Sequence, residues 1–174
     1  MPPSGEKLTA MTSTPDRHTV TAAYLGCAAV ATYALLKTAW ALGSTVGVND
    51  TVLFEEFMRS LGGPLVALWA TVGLALLAAA ILLSFVAPWG QRIPRRLRAS
   101  LAWIGAIMAP FGLMSLTLTI VEMIAGHPFL MLAPAIYIAV YVSFTVLGVA
   151  FAVTAWRTRE PRVALGVATQ PVAS

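Results

Sequence analysis

Four stretches of the chain are almost wholly apolar, residues 20–42, 64–87, 99–125 and 129–156, and short polar segments separate them. About 20 helical residues cross roughly 30 Å of hydrocarbon, so each stretch is long enough to span a bilayer. The pattern predicts an all-α fold, an integral membrane four-helix bundle. Residues 1–19 carry three prolines and no periodicity, and residues 157–174 show no structural signal either. Both read as disordered tails, leaving 20–156 as one transmembrane domain. A cleaved signal peptide competes with the first span, helped by the small-x-small triplet Ala39-Trp40-Ala41. The long polar leader, the length of the apolar run and the interruption at Lys37 favour an anchor.

The connections have their own pattern. In TVLFEEFMRSLGG, the residues Phe54, Phe57, Met58 and Leu61 recur at helical spacing among Glu55, Glu56 and Arg59. This predicts a short amphipathic interfacial helix from about Thr51 to Leu61, with Asp50 as its N-cap and Gly62-Gly63 as its stop. Pro64 suits the first turn of the following span. Pro88-Trp89-Gly90 ends that span, and its segment LALLAAAILLSFV holds almost nothing polar, so this helix is expected to be the lipid-facing one. Gly126-His127-Pro128 reads as a compact turn, and Pro134 stands near the start of the fourth span, where a proline is best tolerated.

Composition narrows the class. Of 174 residues, 59% are hydrophobic and only 10% charged, with a mean hydropathy of +0.83. Ordinary soluble domains carry about 25% charged residues, so a water-soluble surface cannot be built from this pool. A net charge of +4 and a pI near 9.7 would suit nucleic acid, but the basic residues follow a membrane pattern instead. Lys7 and Arg17 precede the first span, Arg92, Arg95, Arg96 and Arg98 lie between the second and third, and Arg157, Arg159 and Arg162 follow the fourth. The opposite side has only Arg59. The positive-inside rule then puts both termini in the cytoplasm. Richness in Ala, Gly, Val and Arg suggests a GC-rich bacterial genome and a bacterial cytoplasmic membrane. Cys27 is the single cysteine, so no intramolecular disulfide can form, and His18 and His127 make no metal spacing. No cofactor and no metal is expected, and no phosphate loop, nucleophile elbow or haem-attachment motif is found.

Two ionisable residues fall inside spans, Lys37 and Glu122. Each costs about 2.5–3.5 kcal/mol at a helix centre even on the gentler scales, so neither is expected to face lipid bare. Both lie near the outer ends of spans that run in the same direction, at depths that differ by a few Å for a rise of about 1.5 Å per residue. An ion pair between them is geometrically allowed. Around them, Gly112, Ser115, Thr119 and Glu122 share one helix face, as do Tyr33, Lys37 and Trp40, and Pro134, Tyr137 and Tyr141. The three polar stripes are expected to converge in the outer half of the bundle, with Tyr33, Lys37, Trp40, Ser115, Thr119, Glu122, Tyr137 and Tyr141 lining a pocket and Glu122 as the candidate acid or base. The competing reading is structural. Ser and Thr often bond only their own backbone, Lys37 can snorkel, and Tyr and Trp belong to the interfacial belt. Arg92, Arg95, Arg96 and Arg98 are candidate ligands for anionic lipid headgroups, although topology alone accounts for them. His127, close to Glu122, reads as a turn residue with a secondary proton-exchange reading. Ala102, Ala106, Ala109, Gly148 and Ala152 permit close helix approach.

The segment Leu36-Lys37-Thr38-Ala39-Trp40-Ala41-Leu42-Gly43-Ser44-Thr45-Val46-Gly47 resembles the end of the first helix in small four-span actinobacterial membrane proteins of unknown function. The resemblance covers that helix end and the four-span plan, and it implies no activity. Three function classes therefore stand. The first is a non-catalytic accessory or binding protein in a larger membrane complex. The second is a small oligomeric transporter or channel, disfavoured because polar groups thin out inward. The third is a small enzyme acting on a lipid or isoprenoid-like substrate. The expected partners are membrane lipids, a lipid-like small molecule, and a homo-oligomer or larger complex, with no nucleic acid.

Overall fold

The computed structural model describes residues 16–129 and 131–159. Six α-helices run through them: α1 (Arg17–Ala41), α2 (Thr51–Ser60), α3 (Thr71–Leu83), α4 (Arg95–Ala106), α5 (Met108–Ile124) and α6 (Pro134–Arg159). A wider π-type turn, Leu65–Ala70, leads into α3, and a 3-10 turn, Pro88–Arg92, follows it. Among the described residues the only β pairing is an isolated bridge between Val48 and Leu132. Four helical stretches are long and apolar enough to cross a membrane: α1, the π turn with α3, α4 with α5, and α6. The molecule is a four-span, all-α membrane protein.

The helix ends differ from expectation in instructive ways. The first helix begins at Arg17 and the last runs to Arg159, so the tails assigned to 1–19 and 157–174 each give up residues to a helix. What remains of those tails, 1–15 and 160–174, lies outside the described residues. The fourth span starts at Pro134, five residues later than its apolar run. Proline lacks the N–H that the first helical turn does not need, so it is a natural first residue. The third span is two helices joined at Ile107. Pro110 explains the break, because it offers no N–H to the carbonyl four residues back and its ring crowds that carbonyl. Around it the ladder tightens and lengthens, with Ile107 N–H donating to Ile104 O at 3.3 Å and Phe111 N–H to Ile107 O at 3.4 Å.

In the bundle α6 is the central helix. It packs along α1 on one side and along α4 and α5 on the other, while α3 leans on α1. Lipid tails are as apolar as leucine, so helices here associate by close van der Waals fit, and small residues supply it. A Cβ on Gly26 would lie 2.5 Å from Leu82 Cδ1 and 2.7 Å from Ala150 Cβ. One on Gly148 would lie 2.0 Å from the Ala109 backbone nitrogen, which seats the kink of the third span directly against α6. Ala23, Val30, Ala75, Leu82, Ala102 and Ala150 form the centre of the resulting core. Its buried hydroxyls turn back onto their own helices: Thr154 donates to Ala150 O and Phe151 O, and Ser143 to Ala139 O.

The two ends of the bundle are built differently. At one end, which carries the arginines, Asp16 at the start of α1 meets Arg157 near the end of α6 at 3.6 Å. At the other, the loops are laced together. Asn49 N–H donates to Met131 O at 2.9 Å, Ala133 N–H to Gly47 O at 2.8 Å, and Asn49 Nδ2 to Phe129 O at 2.8 Å. The amphipathic segment is a helix, as its spacing implies. Asp50 caps α2 by accepting from the N–H groups of Val52 and Leu53, and Gly62 and Gly63 end it at φ of 93° and 95°. Met58 and Phe54 turn inward onto Trp40, Leu68 and Leu132, while Leu53, Phe57 and Leu61 stay exposed along the edge of the same apolar face. The second span is not the most lipid-exposed one. Only 11% of the third span's apolar window is buried, against 28% of the second's, because α5 rests on α6 and on little else.

Candidate functional site

The polar site at the loop end is assembled by a helix terminus. Gly126 adopts φ of 72°, a left-handed conformation that costs glycine nothing. Its N–H donates to Met123 O, and the N–H of His127 reaches back to Glu122 O at 3.1 Å. This pair of bonds is the Schellman closure, in which the residue after the glycine folds over the last helical turn. It brings the His127 ring beside the Glu122 side chain, and Nδ1 contacts the carboxylate oxygen Oε2. Both groups remain about half exposed, His127 at 64% and Glu122 at 52%.

Below this pair lies a cavity of about 450 Å³ between α5, α6 and residues 127–129 and 131. Ser115, Thr119 and Glu122 line it from α5, and Tyr137 and Tyr141 from α6. Phe129 and Met131 complete the wall. Tyr137 stacks on Tyr141 with centroids 6.2 Å apart and meets the Phe129 ring at 5.5 Å. Thr119 donates its hydroxyl to Ser115 O at 2.9 Å, a bond within its own helix. The groups left to face a ligand are the carboxylate, the imidazole and the aromatic rings. An aromatic wall beside a carboxylate suits a cationic or hydroxyl-bearing head, since ring faces attract ammonium groups.

Tyr33, Lys37 and Trp40 do not join this site. They share a face of α1, as expected, but α6 stands between α1 and α5. Lys37 Nζ lies 4.9 Å from the Trp40 ring centroid and 5.7 Å from that of Tyr33. The ion pair with Glu122 that the shared depth allowed does not form: among the described residues, Glu122 is paired with His127 and Lys37 with rings. Trp40 is buried, donates its indole N–H to Val46 O at 2.9 Å and meets Phe54 edge-on, which makes it a pillar of the loop end. Tyr33 packs against Phe144 at 5.1 Å and belongs to a separate apolar groove in the bundle's middle.

The arginines also divide. Arg92, at the end of the 3-10 turn, and Arg95 and Arg96, in the first turn of α4, are all exposed. Arg98 is half-buried; its Nη1 donates to Ser84 O at 2.8 Å, and its guanidinium lies 5.6 Å from the centre of the Phe85 ring. It therefore ties the end of α3 to the start of α4. Among the described residues no group of three His, Cys, Asp or Glu side chains is placed to hold a metal.

Sequence reasoning missed Phe129 and Met131, because nothing in a turn's composition says which way it folds. His127 was within reach, since the order Glu-x-x-x-Gly-His at a helix end implies the fold-back seen here. No family model matches this chain, and neither does any curated protein or solved structure.

Proposed function

We propose that the protein is a non-catalytic accessory or binding protein of the bacterial cytoplasmic membrane, whose loop-end cavity takes the head of a lipid-like small molecule. One observation carries the reading: an apolar-walled cavity of about 450 Å³ in which Glu122, His127, Tyr137 and Tyr141 converge at the end of a span. Ligand sites are concave, mostly apolar and hold a few placed polar groups, and this one has that make-up. The carboxylate and rings favour a head bearing an amine or hydroxyls, with its apolar portion running down the α5–α6 seam. In this reading both termini are cytoplasmic, following the arginine bias, so the cavity opens at the outer face.

The test is to purify parent and Glu122→Gln protein in detergent and identify retained small molecules by mass spectrometry. A species enriched with the parent and absent from the folded variant is the expected result. Equal retention by both would remove the cavity from consideration.

A further inference from the structure

Another cavity has a different character and lies away from the loop end. It also measures about 450 Å³. Its floor is formed by α1 and α6, through residues such as Val30 and Leu147, and its walls by α3 and α4. It exists because α3 packs on α1 and α4 on α6, while α3 and α4 touch each other little. Leu74, Leu77 and Ile104 stand on its rim and are exposed, so the groove opens sideways, in the plane of the membrane.

At the arginine end the groove runs into charge. Ile81 and Leu101 line its walls at that end. Ser84 is one turn beyond Ile81 on the same helical path, and Arg98 is one turn before Leu101, so both continue the groove's faces. Arg98 bridges to Ser84 O, which ties the two walls together at this end. Its Nε is buried and has no hydrogen-bond partner among the described residues. An arginine carries five N–H donors in a rigid fork that matches a phosphate. Arg95 lies a further turn out on the same face, and Arg96 and Arg92 are exposed beside it.

We propose that this groove is a binding site for one anionic phospholipid, with an acyl chain between α3 and α4 and its phosphate on Arg98 and Arg95. The two halves of the site match the two halves of that molecule. The groove is apolar and open to the hydrocarbon, and the donors stand where that leaflet's headgroups lie. An empty apolar groove in a bilayer would leave its lining without contacts on one side, and a lipid chain is the filler at hand. Basic pockets between spans are a recurrent device for anionic lipids. The site is independent of the loop-end cavity and survives the failure of that reading.

The experiment is native mass spectrometry of the full chain in detergent, titrated with dioleoyl phosphatidylglycerol or dioleoyl phosphatidylcholine. Expected is one tightly held phosphatidylglycerol per chain, bound about tenfold better than phosphatidylcholine, the scale of one charge-assisted contact. Ala78→Phe fills the groove and should abolish retention. Ile104→Trp crowds the rim from the lipid side, where the fold tolerates bulk, and should weaken it. Both lipids carry the phosphate and differ in net charge, so Arg98→Gln, which removes the positive charge, should bring the two towards equal affinity. Inorganic phosphate should not displace the lipid. The proposal is overturned by equal binding of both lipids to the parent, by release of phosphatidylglycerol with inorganic phosphate, or by undiminished retention in folded Ile104→Trp. It also fails if the groove is covered by a second copy of the chain, seen as a dimer that Ala78→Phe dissociates.

Discussion

The two faces of α6 make different use of the same kind of residue. On one face Lys37 of α1 is half-buried, flanked by Tyr33 and Trp40, in a region where Trp40, Met58, Leu68 and Leu132 form a closed cluster. On the other, Glu122 of α5 is half exposed, paired with His127 and open to a cavity. Both are ionisable groups near the end of a span, where a charge is rare without a reason. The first is absorbed into packing, and the second is left accessible. Depth in the membrane therefore does not decide the role of such a residue; what stands beside it does.

The largest expected effect comes from breaking the packed face. Trp40→Ala removes a buried ring, its bond to Val46 O and its contact with Phe54, and should destabilise the protein by about 3–5 kcal/mol. Detergent unfolding followed by circular dichroism reads that loss. Next, Gly112→Leu presses a side chain into the α6 backbone at Thr145, where a Cβ would already lie 2.6 Å from the nitrogen. Overpacking of this kind costs about 1–3 kcal/mol and should also distort the cavity that α5 and α6 share. Lys37→Met should be slightly stabilising, by less than about 1 kcal/mol, because losing the ring contacts is offset by removing a charge from the span. Smallest of all is the coupling between the two charges. A double-mutant cycle of Lys37→Met and Glu122→Gln should be additive to within about 0.5 kcal/mol, as for separated sites. A larger coupling would mean that the two residues meet across α6 after all.

Much of this contrast was legible in the sequence, and the missing part has a definite cause. Helical spacing groups Ser115, Thr119 and Glu122 on one face and Tyr137 and Tyr141 on another, and in the fold these residues line one cavity. The amphipathic α2, its Asp50 cap and its double-glycine stop were readable for the same reason, since local chemistry sets them. Periodicity says which residues share a face, but not which helix that face meets. Spacing alone therefore groups Tyr33, Lys37 and Trp40 with the α5 and α6 stripes, although α6 separates them from α5 in the fold. Pro110 was equally visible as a helix breaker, yet the apolar run across it concealed the kink. Arg98 shows the converse. In the sequence it belongs with Arg92, Arg95 and Arg96, but only in the fold does one of these side chains turn inward to Ser84.

The comparison is tested most directly by following one ligand across both faces. Parent, Lys37→Met and Glu122→Gln proteins would be purified identically, checked for equal folding by circular dichroism, and analysed for retained small molecules by mass spectrometry. The predicted result is retention by the parent and by Lys37→Met, with loss in Glu122→Gln alone. Loss in Lys37→Met to the same degree as in Glu122→Gln would contradict it, because the two faces of α6 would then serve a single site.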